Sequence, residues 1–212
     1  TINDLKVIWL VHEFDFIGGS LGCAEGEKLC RGIEQAANDK LPVVIEVRSG
    51  GARMQEGALA LMQMAKVSVA VRALKVRGLP YIVIYQDPTF GGTTASYAMQ
   101  ADVRIGVEGA RVGFAGEKVI LNTVYRMDQE AYDKQCPKGF QTTKFLFEHG
   151  QVDIVVPPDE LTPTVYSILS LLNSRRGGSM ASGARRRVSS SSSPGSRAGV
   201  VTSSAGVSGT WS

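Results

Sequence analysis

Three glycine pairs, Gly18-Gly19, Gly50-Gly51 and Gly91-Gly92, carry the chemistry this sequence can offer. Each follows a short β-branched or aromatic run and precedes a helix-like stretch. Glycine has no Cβ, so at a strand exit it lets backbone N–H groups converge on one small space at the positive end of a helix dipole. An oxygen that gains negative charge is stabilised there. Phosphate is one such ligand, and a thioester enolate or tetrahedral oxyanion is another. Gly-x-x-x-x-Gly-Lys-[Ser/Thr] is absent, and Gly18-Gly19-Ser20-Leu21-Gly22 lacks Gly-x-Gly-x-x-Gly spacing. Nucleotide hydrolysis on a P-loop and a Rossmann cofactor turn are therefore set aside. Any one pair alone reads as a tight turn; two in the same register, both entering helices, bring the oxyanion reading level with it.

Side chains add little to this. His12 and His149 are the two histidines, which leaves scant material for a Ser-His-Asp triad or a histidine metal site. Cys23, Cys30 and Cys136 form no Cys-x-x-Cys pair, so neither a disulfide framework nor a closed zinc site can be written from them. Arg53 and Lys118 lie next to glycine motifs, but structural ion pairing accounts for them as well as ligand binding does. Gln55 and Glu56 are expected to satisfy the first turn of the helix they open.

The elements that position the glycines follow from periodicity. Strand patterns cover Lys6 to Phe16, Val43 to Arg48, Tyr81 to Tyr85, Val103 to Val107, Arg111 to Phe114 and Val152 to Val156. Helical spacing is predicted for Gly22 to Asn38, Ala52 to Lys75, Thr93 to Gln100, Phe140 to His149 and Thr162 to Leu172. Lys118 to Gln135 reads as a polar connection. Strand, glycine pair and helix thus recur three times without a sequence repeat, which predicts an α/β fold with strands feeding helices on one side of a sheet.

Composition bounds the rest. A chain of 212 residues, 43% hydrophobic and 20% charged, can bury one real core. The overall charge of +3 belongs to the last forty positions, which hold six arginines and no acid; the remainder is acidic on balance, so a nucleic-acid reading from basicity fails. Thirteen serines and seven glycines in that stretch leave too little apolar surface to offset ordering entropy, so residues 173–212 are expected to be a disordered tail behind a domain of residues 1–172. No apolar run reaches the ~18–20 residues of a membrane span, and no signal peptide opens the chain, so a soluble intracellular protein is expected. A start at Thr1 within five residues of a strand suggests a cut through a longer protein.

Five motifs then point to a family. Ser49-Gly50-Gly51-Ala52-Arg53-Met54-Gln55-Glu56-Gly57, Leu61-Met62-Gln63-Met64-Ala65-Lys66, Asp87-Pro88-Thr89-Phe90-Gly91-Gly92-Thr93-Thr94-Ala95-Ser96, Gly113-Phe114-Ala115-Gly116, and Gly139-Phe140-Gln141 with Glu148-His149-Gly150 occur in order. Between about Asp4 and Val156 the chain resembles the carboxyltransferase beta subunits of acetyl-CoA carboxylase. The resemblance implies a crotonase-like α/β superhelix of stacked ββα turns. It also implies transfer of a carboxyl group from carboxybiotin on a separate biotin carboxyl carrier protein to acetyl-CoA, giving malonyl-CoA for fatty acid synthesis. An alpha subunit of similar fold would be the partner, in an α2β2 hetero-oligomer, with neither nucleic acid nor membrane involved. Carried onto this chain, the amides of Gly91 and Gly92 would hold the oxyanion, and Gly50, Gly51 and Ala52 would line the substrate cleft. The base in that picture is the biotin ureido group, which suits a chain poor in histidine. Family members of the bacterial and plastid kind usually carry a four-cysteine zinc module ahead of this domain, here cut off or lost, and no metal is expected within these residues. Lys118-Val119-Ile120-Leu121-Asn122-Thr123 departs from the family's usual Arg-Val-Ile-Glu-Gln-Thr, and the arginine-serine tail has no counterpart. The bacterial cytosol is the expected compartment, with the plastid stroma as the alternative. A carboxylase or decarboxylase subunit for another acyl thioester, and a non-catalytic scaffold of the same fold, remain as other readings.

Overall fold

A computed structural model describes residues 1–183, with side chains through residue 173. Five strands, β1 (Ile8–Val11), β2 (Val43–Ser49), β3 (Tyr81–Thr89), β4 (Val103–Val107) and β5 (Ile154–Val156), form one sheet whose spatial order is the order of the sequence. All four pairings are parallel, with Ile8 opposite Val43, Val43 opposite Tyr81, Ile82 opposite Val103 and Ile105 opposite Ile154. A parallel sheet is covered on both faces, and the unbroken apolar runs Val43-Val44-Ile45 and Tyr81-Ile82-Val83-Ile84 are accordingly buried throughout.

On one face, Val43, Ile45, Val47, Tyr81 and Val83 pack against Leu29 and Ile33 of α1 (Cys23–Asp39) and Val67, Val71 and Leu74 of α2 (Ala58–Val76). On the other, Val44, Ile82, Ile84 and Ile105 meet Val165 and Leu169 of the last helix. That helix corrects the expectation of helices on one side only: alternate residues of two-sided strands point both ways, so a single helical layer would leave Ile82 and Ile84 in water. The helix runs Leu161–Gly183, beginning one residue before and ending beyond the expected Thr162 to Leu172; residues 184–212, most of the expected tail, lie outside the described residues.

Three further elements differ from expectation. The stretch Thr93 to Gln100 is not a helix but a series of turns ending in a 3-10 turn at Ala98–Gln100. Its two threonines hydrogen-bond elsewhere, Thr93 Oγ1 with Ser49 Oγ at 3.0 Å and Thr94 Oγ1 with the Thr89 carbonyl at 3.2 Å, and such bonds compete with a helical ladder. Arg111 to Phe114 contributes single bridges, Thr89 with Val112 and Arg111 with Thr142, instead of a strand. The polar link from Lys118 holds two helices, α3 (Glu117–Thr123) and α4 (Gln129–Gln135), neither with a buried residue, so no apolar period marks them. Local chemistry carries α4: Asp128 caps the Ala131 amide at 3.0 Å, and Glu130 pairs with Lys134 at 2.6 Å one turn on. After it, α5 (Thr143–Glu148) is capped by Thr142 and leads to β5; the closing helix is α6 (Leu161–Gly183).

Candidate active site

The three glycine pairs leave the C-terminal ends of three adjacent parallel strands, so the topology alone brings them to one edge of the sheet. That edge is where open α/β sheets present their loops to ligands. The Gly50 amide donates to the Gly18 carbonyl at 2.9 Å, the Leu21 amide to Gly51 at 2.8 Å, and the Phe90 amide to Ser49 at 2.8 Å. The loops after β1, β2 and β3 are thereby stitched to one another in sequence order.

Contact between the second and third pairs is closer than side chains would allow. Gly51 has φ +108°, and a Cβ built on it would lie 3.3 Å from the Gly91 Cα and 3.6 Å from the Gly92 nitrogen. Gly91 has φ +69°, and its Cβ would lie 3.1 Å from the Gly51 Cα. Both positions therefore need glycine twice over, for the backbone angle and for the approach. Gly92 is different: its φ is ordinary, and a Cβ there would run into Met64 Sδ.

An account of the amides decides which can serve a ligand. The Gly91 N–H is taken, donating to the carbonyls of Phe114 at 2.9 Å and Gly113 at 3.2 Å. This corrects the expectation that Gly91 and Gly92 act together as donors. The Gly51 N–H is also taken, by Ser49 Oγ at 3.1 Å, and Gly50 is held by Gly18. Among the described residues the amides of Ala52 and Gly92 have no partner, and both residues are half-buried at the junction of the two loops. Gly91 and Gly51 supply the close approach; Gly92 and Ala52 are left with the hydrogens.

Small hydroxyls flanking the pairs hold this arrangement, which glycine spacing and periodicity alone do not reveal. Ser49 Oγ binds both the Gly51 amide and Thr93 Oγ1, tying the two loops through one buried atom. Thr89 Oγ1 donates to carbonyls of Val47 at 2.8 Å and Gln86 at 2.7 Å, locking the end of β3. A serine before one Gly-Gly and a threonine after the next was the available signal. The motif residues beyond β4 converge on the same place: Gln141 Nε2 donates to the Ala115 carbonyl at 2.7 Å, and its carbonyl accepts the Val112 amide at 2.7 Å. Beside Phe90 a depression of about 340 Å³ opens, lined by Arg111, Lys118, Tyr132 and Phe140 among others.

The charged neighbours are structural. Arg53 is buried, donating to the Ser20 carbonyl at 2.8 Å and Ser20 Oγ at 3.1 Å and pairing with Glu56 at 3.0 Å. Glu56 does not serve the helix it precedes; its carboxylate accepts the Cys23 amide at 2.6 Å and so caps α1 from across the fold. Hydrogen bonds from Cys23 hold its pKa below the usual carboxylate range, with Arg53 adding to the effect. Asp87 takes a two-pronged hydrogen bond from Arg111 at 2.9 and 3.0 Å, which lowers its pKa and pins the turn before Phe90. His12 is buried between the Gly19 carbonyl at 3.3 Å and Tyr97 Oη at 2.8 Å; burial lowers its pKa. His149 stacks on Phe145 with ring centroids 4.0 Å apart.

Parallel strands in sequence order, with glycine loops fused along one edge, form a crotonase-like domain, and solved structures share it. A Pseudomonas malonate decarboxylase MdcD-MdcE hetero-dimer superposes with a TM-score of 0.67 at 25% identity, over 80% of this chain and 73% of that one. Transcarboxylase 12S, crystallised with methylmalonyl-coenzyme A and methylmalonic acid, gives 0.61 at 27% identity over 76% and 29%. The chain belongs to the carboxyl transferase domain family, which matches residues 1–194. Relatives include acetyl-coenzyme A carboxylase carboxyl transferase subunit beta of Sinorhizobium fredii, 48% identical over 171 residues, and of Rhizobium etli, 45% over 174. Those alignments span 81% and 82% of this chain but 54% and 55% of the relatives, so the chain covers about half their length.

Proposed function

We propose that the chain is the catalytic part of a carboxyltransferase beta subunit that carries a carboxyl group to acetyl-CoA, forming malonyl-CoA, with the amides of Ala52 and Gly92 as its oxyanion hole. The observation that supports this is the contact of Gly51 with Gly91, each of which is followed in sequence by a residue whose N–H has no partner among the described residues. When the methyl carbon of acetyl-CoA gives up its proton, charge moves to the thioester oxygen. Donors fixed in advance at that oxygen stabilise the enolate more than the ground state, and each is worth ~3–4 kcal/mol. The enolate carbon then takes the carboxyl group.

Carboxybiotin on a separate carrier protein would supply that carboxyl group and, through its ureido group, the base that takes the proton. The chain fits such a co-substrate because its own candidate bases are engaged: His12 by Gly19 and Tyr97, Glu56 by Cys23 and Arg53. A partner alpha subunit of similar fold would complete the cleft over the exposed side of Phe90 and Lys118, in an α2β2 assembly. The bacterial cytosol is the compartment proposed; no helix among the described residues is long and apolar enough to cross a membrane.

Mixing the chain with a biotinylated carrier domain, a bacterial alpha subunit and acetyl-CoA tests the proposal. Malonyl-CoA formation that depends on the chain supports it. A chain that binds the alpha subunit yet gives no malonyl-CoA overturns it.

A further inference from the structure

Beneath the glycine edge the buried side chains of His12, Ser49, Thr93 and Tyr97 stand in line. The Gly51 amide donates to Ser49 Oγ at 3.1 Å, and Ser49 Oγ meets Thr93 Oγ1 at 3.0 Å. Thr93 hydrogen-bonds Tyr97, whose Oη meets His12 Nε2 at 2.8 Å, and His12 Nδ1 closes the line on the Gly19 carbonyl at 3.3 Å. The two ends fix which way every hydrogen points. A carbonyl only accepts, so Nδ1 carries the ring hydrogen. Nε2 then accepts from Tyr97, Tyr97 from Thr93, Thr93 from Ser49, and Ser49 from the Gly51 amide. Burial raises the Tyr97 pKa while the bond from Thr93 lowers it, the sign of a hydroxyl donating to the phenol oxygen.

We propose that His12, as a neutral ring, is a positioning residue that completes a one-way hydrogen-bond relay between the three glycine loops. Gly51 heads the relay, touches Gly91 and precedes Ala52. Through it the ring acts on the Ala52 amide; that last step rests on the carboxyltransferase reading, and the relay does not. Each link holds one hydrogen, so a second ring hydrogen is one too many. With His12 charged, one buried hydroxyl hydrogen is left without an acceptor in the line, and the hold on Gly51 slackens. Burial keeps the ring neutral against Glu25 of α1 and the Gly19 carbonyl, which favour the charged form. Tyr97 is the titratable group that meets the ring from the turns after β3, and the Glu46 carboxylate of β2 is taken by Gln86 at 2.8 Å.

Nitrogen-15 NMR of the intact chain, with His149→Gln to leave a single histidine, reads the tautomer. The Nδ1-protonated ring is expected at about pH 7.5, and the Nε2-protonated ring overturns the relay. On acidification the Gly51 amide shift should move with the His12 ring, at a shared midpoint below 6.5. Tyr97→Phe leaves the ring charge in place but removes a link, and should cut that movement roughly threefold or more. Thr93→Val breaks the line at another place and should do the same. Separate midpoints, or a movement that both variants leave intact, overturn the proposal. In the reconstituted reaction His12→Leu should lower kcat about tenfold, and the wild type should lose as much between about pH 7.5 and 5.5. His12→Gln offers Tyr97 a carbonyl that does not titrate, so it should restore most of the turnover and lack the acid limb. An acid limb unchanged in His12→Gln overturns the positioning role. If the wild-type chain makes no malonyl-CoA, the transferase reading fails and the NMR results alone decide the relay.

Discussion

Replacing Gly51 by alanine tests the glycine contact where its geometry is tightest. At φ +108° an alanine is strained whatever its surroundings, by ~1–3 kcal/mol. Its methyl would also sit 3.3 Å from the Gly91 Cα and 3.4 Å from the Phe90 carbonyl, both backbone atoms that cannot swing aside. The two loops must separate by a few tenths of an ångström, and the amides of Ala52 and Gly92 move with them. A combined loss of about 2–4 kcal/mol is expected, and a chain of this size loses roughly 2–4 °C of Tm per kcal/mol. Malonyl-CoA formation should fall about tenfold to a hundredfold, since small displacements of a fixed donor are felt strongly in the transition state. Gly78→Ala is the control. Its φ of +68° imposes the left-handed cost of about 1–2 kcal/mol, but no atom lies within 4 Å of the added methyl, and the site is far from the glycine edge. That variant should lose a few degrees of Tm and keep full turnover. Thermal melts and malonyl-CoA assays on both decide the matter. A Gly51→Ala chain as stable and active as Gly78→Ala would refute the claim that this contact builds the site.

Gly92→Val should keep the fold, because the atom it meets is the flexible end of Met64, yet lower turnover by about 10²–10³ by screening the amide; circular dichroism with the malonyl-CoA assay checks both halves. Arg53→Met should destabilise by ~2–4 kcal/mol, leaving Glu56 and the Ser20 carbonyl without their partner, and should speed hydrogen exchange at the Cys23 amide. The buried His12 has a folded pKa below 6.5, so under that pH the unfolded chain binds a proton that the folded chain declines. Stability should therefore be full above about pH 6.5 and decline as pH falls toward the lowered folded value; urea melts at pH 5.5 and 7.5 should differ, and His12→Asn should flatten the difference.

The sheet and its helices were legible because burial writes periodicity into sequence. Val43 to Arg48 and Tyr81 to Tyr85 open on unbroken apolar stretches preceded by proline, and α1 carries its buried Leu29, Ile33 and Ala36 at helical spacing. What stayed hidden depends on partners distant in sequence. Thr93 and Thr94 sit in a segment with helical composition, and only Ser49 and the end of β3 divert them into turns. Helices α3 and α4 bury no residue fully and so lack a core-facing apolar stripe. At the site, glycine pairs announced where the backbone is bare but not which hydrogens remain. Gly91 loses its own to Phe114, and no local rule anticipates a carbonyl more than twenty positions away. Tyr85 reads as one more aromatic in a strand; its hydroxyl is left without a partner only once the fold buries it.

Because spatial order matches chain order from β1 to β5, every strand leaving the ribosome finds its template already laid down, and none has to be wedged between two neighbours that came earlier. Growth is one-directional, like courses of brick. The glycine edge nevertheless matures late: Gly91 is seated only when the carbonyls of Gly113 and Phe114 arrive, and that stretch waits in turn for Gln141. A nascent chain halted short of Phe114 would own a sheet but not the finished glycine edge, so that edge cannot form before most of the framework has been synthesised.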